Sequence, residues 1–147
     1  LRLTIEIKGF SGVRTEDIVR LWWIMIDEKD KCIRVPDAVG KIDARLVLIL
    51  PNLGKRLSEH AADIKHGRVA AEWSSANSLW HAWEREVEKA GVPYRRNAFR
   101  NSYISYRLAI LQDINRVAEE TGTSPEMIRR NYLVPISRTV AEEWFAL

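Results

Sequence analysis

The side chains in this sequence best suited to chemistry are two arginines, a lysine and a tyrosine, spread over four segments. Arg14 lies in Gly12-Val13-Arg14-Thr15-Glu16-Asp17 and Lys41 follows Gly40 in a polar stretch. Arg100 lies in Asn97-Ala98-Phe99-Arg100-Asn101-Ser102, and Tyr132 closes the run Gly122-Thr123-Ser124-Pro125-Glu126-Met127-Ile128-Arg129-Arg130-Asn131-Tyr132. Guanidinium groups bind phosphate-type oxygens through paired, charge-assisted hydrogen bonds. Between positions 89 and 116, six basic residues (Lys89, Arg95, Arg96, Arg100, Arg107, Arg116) face one acid, Asp113, and tyrosines are interleaved. Arg129, Arg130 and Arg138 follow. Such a half suits a phosphate-rich partner, although a solvated helix face carries similar charge. Taken singly, each candidate has a plain structural explanation. Arg14 is a surface residue near a helix start, Lys41 sits in a polar turn, and Tyr132 packs after a short helix. The histidines His60, His66 and His81 and the lone Cys32 have no ligand spacing, so neither a metal nor another cofactor is expected.

Composition bounds the class of protein that must position these groups. The chain has 147 residues, 46% hydrophobic and 29% charged, with a net charge of +3. That fits one globular domain with a sizeable core. One cysteine excludes a disulfide scaffold and points to a reducing, cytoplasmic setting. No apolar run approaches the roughly 18 residues of a membrane span. Charges within Leu1-Arg2-Leu3-Thr4-Ile5-Glu6-Ile7-Lys8 argue against a signal peptide, and the absent initiator Met suits a fragment or a processed chain.

The pattern of residues predicts a mainly α-helical domain with a small antiparallel β-sheet near the N-terminus. Thr15 reads as an N-cap, followed by the acids Glu16 and Asp17, with Ile18, Leu21, Trp22 and Met25 as the buried stripe. Strands are predicted over 31–35 and 45–50, joined as a hairpin with Lys41 near its tip. Helices follow over 53–64 behind Asn52, 75–90, 97–110, 114–121 behind Asp113, from Ser124-Pro125-Glu126 to Tyr132, and over 139–145. A basic loop containing Gly67 occupies 65–71. Leu79, Trp80, Trp83 and Val87 share one helix face, and at least one of Trp22 and Trp23 points away from the core.

In this order and on these elements, the four segments resemble the catalytic domain of the tyrosine recombinases, the phage integrase family, from about Phe10 to Phe145. That family opens a helix with an Arg in a Gly-x-Arg-x-x-Glu segment, places a Lys on a β-hairpin, and continues with His-x-x-Arg, a Gly-His segment and a nucleophilic Tyr. Arg14, Lys41, Arg100 and Tyr132 fall on these positions, and Asp17 falls on the acidic, helix-orienting one. The resemblance implies the DNA breaking-rejoining fold and metal-free strand cleavage in site-specific recombination or integration of a mobile element. Arg14 and Arg100 would clamp the phosphodiester. Tyr132 would form a covalent 3′-phosphotyrosyl link, and Lys41 would protonate the departing 5′ oxygen. The implied partner is double-stranded DNA, with Arg95, Arg96, Arg129 and Arg130 as further DNA-binding residues. This sequence departs from the family at Asn97, Asn101 and Thr123, which replace histidines. Asn97 and Thr123 can hydrogen-bond a phosphate but cannot exchange protons near neutral pH. The family's N-terminal core-binding domain is not expected within this sequence, and residues 1–147 are expected to form a single catalytic-type domain. Its C-terminal helix is expected to self-associate between copies on DNA, although residues 139–147 are equally suited to folding back on their own core. A catalytically degenerate fold that only binds DNA or a partner is the alternative reading. A small helical interaction domain is the third.

Overall fold

The computed structural model describes residues 1–36, 45–60, 66–132 and 134–147. Among these residues the chain begins with helix α1 (Arg2–Ser11) and continues through α2 (Thr15–Arg20) and a 3-10 turn at Trp23–Met25. Strands β1 (Ile26–Asp27), β2 (Cys32–Val35) and β3 (Arg45–Leu48) come next. Helices α3 (Pro51–His60), α4 (Ala76–Lys89), α5 (Ala98–Leu111), α6 (Ile114–Thr121), α7 (Pro125–Asn131) and α8 (Arg138–Ala146) complete the fold. The sheet has the order β1-β2-β3 and is antiparallel throughout, with Ile26 opposite Ile33 and Ile33 opposite Val47. The expected mainly helical fold with a small N-terminal sheet is therefore observed. The predicted hairpin tip with Lys41 lies outside the described residues.

Helix α1 is a finding that the sequence pattern did not announce. Two of its charged residues, Glu6 and Lys8, are buried, and each is held by a polar partner. Glu6 pairs with Arg2 at 2.9 Å and with His60 at 3.2 Å, while Lys8 donates to the Thr15 hydroxyl. Such pairing is what permits burial of ionisable side chains. The same contact corrects the expected N-cap. Thr15 is the first residue inside α2, Arg14 holds the cap position, and the Thr15 hydroxyl binds Lys8 instead of a backbone N–H. Because α2 stops at Arg20, the predicted buried stripe ends early: Leu21 is buried, but Trp22 is 46% exposed and pairs with Arg68 across an isolated bridge. Asn52 is likewise within α3 rather than capping it.

The later helix starts follow their sequence signals. Ser75 forms a capping box with Ser78. Asp113 accepts from the N–H groups of Asn115 and Arg116 at 3.0 and 3.1 Å, and Ser124 accepts from Met127 at 3.2 Å with Pro125 at the first helical position.

Helix α5 is the hub, packed against α1, α6 and α8. One core gathers Ile7, Ile18, Ile33, Leu53, Leu79 and Trp83 beneath the sheet and α1–α4. A second gathers Tyr103, Ile104, Val117 and Ile128 where α5, α6 and α7 meet. Trp83 is fully buried and donates its indole N–H to Thr4 at 2.9 Å, whereas Trp80 and Val87 on the same helix are only partly covered. Arg107, counted above with the outward basic residues, is buried instead. It forms a paired hydrogen bond to Glu120 at 2.8 and 3.0 Å that ties α5 to α6. Burial works against the charge on Arg107, but the hydrogen bond to Glu120 and the charges beside it outweigh burial and raise its affinity for the proton, and burial beside Glu120 raises that of Tyr103. Helix α8 folds onto its own chain. Trp144 lies 5.6 Å from the Phe10 ring and stacks at 4.9 Å on Tyr106, and Phe145 meets Tyr103 edge-on at 5.8 Å.

Candidate active site

Three chain turns converge where α1 ends, α5 begins and α6 passes into α7. Helix α1 closes with Gly12 in the left-handed region at φ 66°, and a Cβ there would run into the Tyr103 ring. This tight exit delivers Arg14 to the start of α2. Helix α6 ends on Gly122 in the same conformation at φ 64°, which turns the chain through Thr123 into α7. Tyr132 caps the far end of α7, and the hydroxyl of Ser105 on α5 holds its carbonyl at 2.9 Å.

Arg100 joins these turns. It is 5% exposed, and its guanidinium donates to the carbonyl of Gly12 and, at 2.9 Å, to that of Thr121. Arg14 is exposed and donates to the carbonyl of Gly122. The two cations thus grip successive carbonyls at one turn. Burial, then repulsion from Arg14, pushes the Arg100 pKa down to about 10, with the Tyr132 phenol acting in the opposite sense. Arg100 remains a cation at neutral pH, and repulsion between two arginines favours an anion between them.

The cleft they form holds about 260 Å³. Arg14, Asn97, Arg100, Thr123 and Tyr132 all line it, together with Thr15, Trp80 and Arg96. Six residues singled out from the sequence, Arg96 among them, therefore share one cavity, although they come from separate segments of the chain. Asn97 sits at the α5 start with φ 62°. Asp17 does not line the cleft: Arg45 on β3 pairs with it at 3.0 Å in a mostly buried bridge that fastens α2 to the sheet. Arg96 stacks over the Trp80 ring at 5.1 Å on the cleft wall. Arg95 is exposed just outside, and Arg129 and Arg130 are exposed in the last turn of α7. Lys41 is outside the described residues. No histidine lines the cleft among the described residues: His60 pairs with Glu6, and His81 pairs with Glu84 at 3.2 Å. No group of three or more His, Cys, Asp or Glu side chains converges among the described residues, and no helix there is long and apolar enough to cross a membrane.

Sequence reasoning missed Arg45, Thr15 and Lys8. Arg45 reads as an ordinary strand residue. Lys8 had one available signal, a lone cation six positions before Arg14 on a helix face otherwise filled by Thr4, Ile7 and Ser11.

These helices, the edge-built sheet and the arginine-lined turn define a recombinase-like fold. The particular likeness is to the crystal structure of XerA recombinase, with a TM-score of 0.73 over 96% of this chain and 16% sequence identity. The match covers 55% of that chain, so this sequence spans little more than half of its structural neighbour. At that identity the likeness is one of fold. No family model and no curated protein matches the sequence.

Proposed function

We propose that this chain is the catalytic domain of a tyrosine recombinase, cutting and rejoining double-stranded DNA through a covalent link at Tyr132. The observation that carries this reading is the meeting of Arg14, Arg100 and Tyr132 in one cleft. A phosphodiester seated between the two guanidinium groups would have the negative charge of its transition state neutralised in a partly enclosed site. The Tyr132 oxygen attacks phosphorus as its proton passes to solvent water, and the bond to the 5′ oxygen breaks as that oxygen gains a proton. Lys41 is the proposed donor of that last proton. A second DNA end reverses the step, so bond energy is conserved and no cofactor is consumed. Arg95, Arg96, Arg129 and Arg130, which form no ion pairs among the described residues, are proposed to follow the DNA backbone. Assembly of copies on DNA by exchange of α8 would reuse the seat that α8 occupies on its own α5.

One observation favours a second reading. Asn97 and Thr123 occupy the cleft, and neither can take up or release a proton near neutral pH. A recombinase fold that holds DNA without cutting it would keep such a site.

Covalent trapping separates the two. Nicked duplex pools of randomised sequence, from which the cleaved fragment diffuses away, are incubated with the protein and run on denaturing gels. A protein–DNA adduct that disappears in Tyr132→Phe establishes the nucleophile. DNA binding that survives Tyr132→Phe, with no adduct in either protein, selects the second reading. Absence of DNA binding at low salt overturns both.

A further inference from the structure

We infer that Thr15, held from behind by the buried Lys8, is a further phosphate-binding residue of the cleft, its hydroxyl donating to a phosphate oxygen beside Arg14 and Arg100. This rests on the DNA-cleaving reading and adds a ligand to it. Thr15 is 7% exposed, lines the cleft, and is the residue after Arg14 in the first turn of α2. Lys8 is 1% exposed, does not line the cleft and donates to the Thr15 hydroxyl, with its ammonium 5.2 Å from the centre of the Trp83 ring. The hydrogen bond between them has only one possible direction while Lys8 is charged. An ammonium has three donors and no lone pair, so the Thr15 oxygen must accept. The single hydroxyl hydrogen of Thr15 is then left over, and no described residue accepts it. The open side of Thr15 is the cleft, where an anion is wanted.

Lys8 makes this arrangement sensitive to pH. Burial, then repulsion from Arg100, lowers its pKa to about 8; Glu16 and Asp17 on α2 act in the opposite sense, and Arg96 adds to the lowering. A neutral Lys8 has a lone pair that can accept from Thr15 and turn the hydroxyl away from the cleft. A phosphate seated in the cleft favours the charged form, so binding draws in a proton as the pH approaches and passes that value.

The test uses a duplex of about 20 base pairs at low salt, where phosphate contacts dominate affinity. Kd is measured from neutral to alkaline pH for the unaltered chain, Thr15→Val, Thr15→Ser, Lys8→Met and Arg14→Gln, each checked by thermal melting. A hydrogen bond to a charged group carries enough free energy for a loss of about tenfold in Thr15→Val, whereas Thr15→Ser keeps its affinity. The unaltered chain weakens as the pH rises through about 8 and above, Lys8→Met is flat over that interval, and Thr15→Val keeps only the shallower dependence that the Lys8 charge itself exerts. The inference is overturned when Arg14→Gln weakens binding but Thr15→Val matches the unaltered chain, or when Thr15→Ser is as weak as Thr15→Val. Arg14→Gln binding as well as the unaltered chain overturns the proposed phosphate site itself, and this inference with it.

Discussion

Replacing Lys8 by Met removes a buried charge and leaves a side chain of similar length between Thr15 and Trp83. In the folded chain the Lys8 pKa is about 8, against 10.5 for an ordinary lysine, with burial the leading cause. That difference corresponds to about 3 kcal/mol of folding free energy forgone to keep Lys8 charged at neutral pH. The direction follows from proton counting. Between about 8 and 10.5 the unfolded chain holds more of this proton than the folded chain, so stability rises with pH across that window. Below about 8 the whole penalty is present. Lys8→Met escapes it but also loses the attraction to the Trp83 ring and the bond to Thr15, each roughly 1 kcal/mol. At neutral pH the variant is therefore expected to be more stable by about 1 kcal/mol. Toward pH 10.5 that gap closes, because the unaltered chain recovers its penalty and Met has none to recover. Urea denaturation of both proteins at several pH values from neutral to alkaline measures this difference. Parallel stability curves, with a constant gap between the two proteins, would refute the reasoning.

The buried Arg107–Glu120 pair predicts a large effect from a small change. Glu120→Gln leaves Arg107 charged without a full partner and should destabilise the fold by about 3 kcal/mol or more by chemical denaturation, whereas replacing both residues by apolar ones should restore most of the loss. Gly12→Ala must adopt φ 66° and press on Tyr103, so a loss of about 2 kcal/mol or more is expected, together with reduced DNA affinity because Arg14 leaves its position. Affinity for DNA should fall linearly on a log–log plot against salt, and Arg129→Gln should make that slope shallower by about one.

What could be read from the sequence was whatever depends on near neighbours or on motif order. Asp113 and Ser124 announce their helices because a capping oxygen reaches an N–H only two or three residues on. Arg14, Asn97, Arg100, Thr123 and Tyr132 could be named because their order along the chain resembles a known pattern, and they share a cleft. Helix α1 was not legible, since the partner that makes Glu6 buriable, His60, is 54 positions away. Thr15 was misread as a cap because its hydroxyl is claimed by a lysine seven residues earlier. Arg107 was misread as outward charge for the same kind of reason, its carboxylate partner lying on the next helix. Local chemistry fixes where elements begin, whereas the fate of a charge is decided by whichever element folds against it.

Arg100 bonds the carbonyls of Gly12 and Thr121 as well as lining the cleft. The residue is therefore a structural tie whether or not any bond is ever cut. A lineage that abandoned strand cleavage would still be selected to retain it, because its removal frees two turns at once and leaves their carbonyls unpaired. Arg14 has one such bond and an exposed side chain, and would drift first. Among descendants of this chain, persistence of Arg100 would record only that the fold survived, whereas joint retention of Arg14 and Tyr132 would track the proposed cleavage.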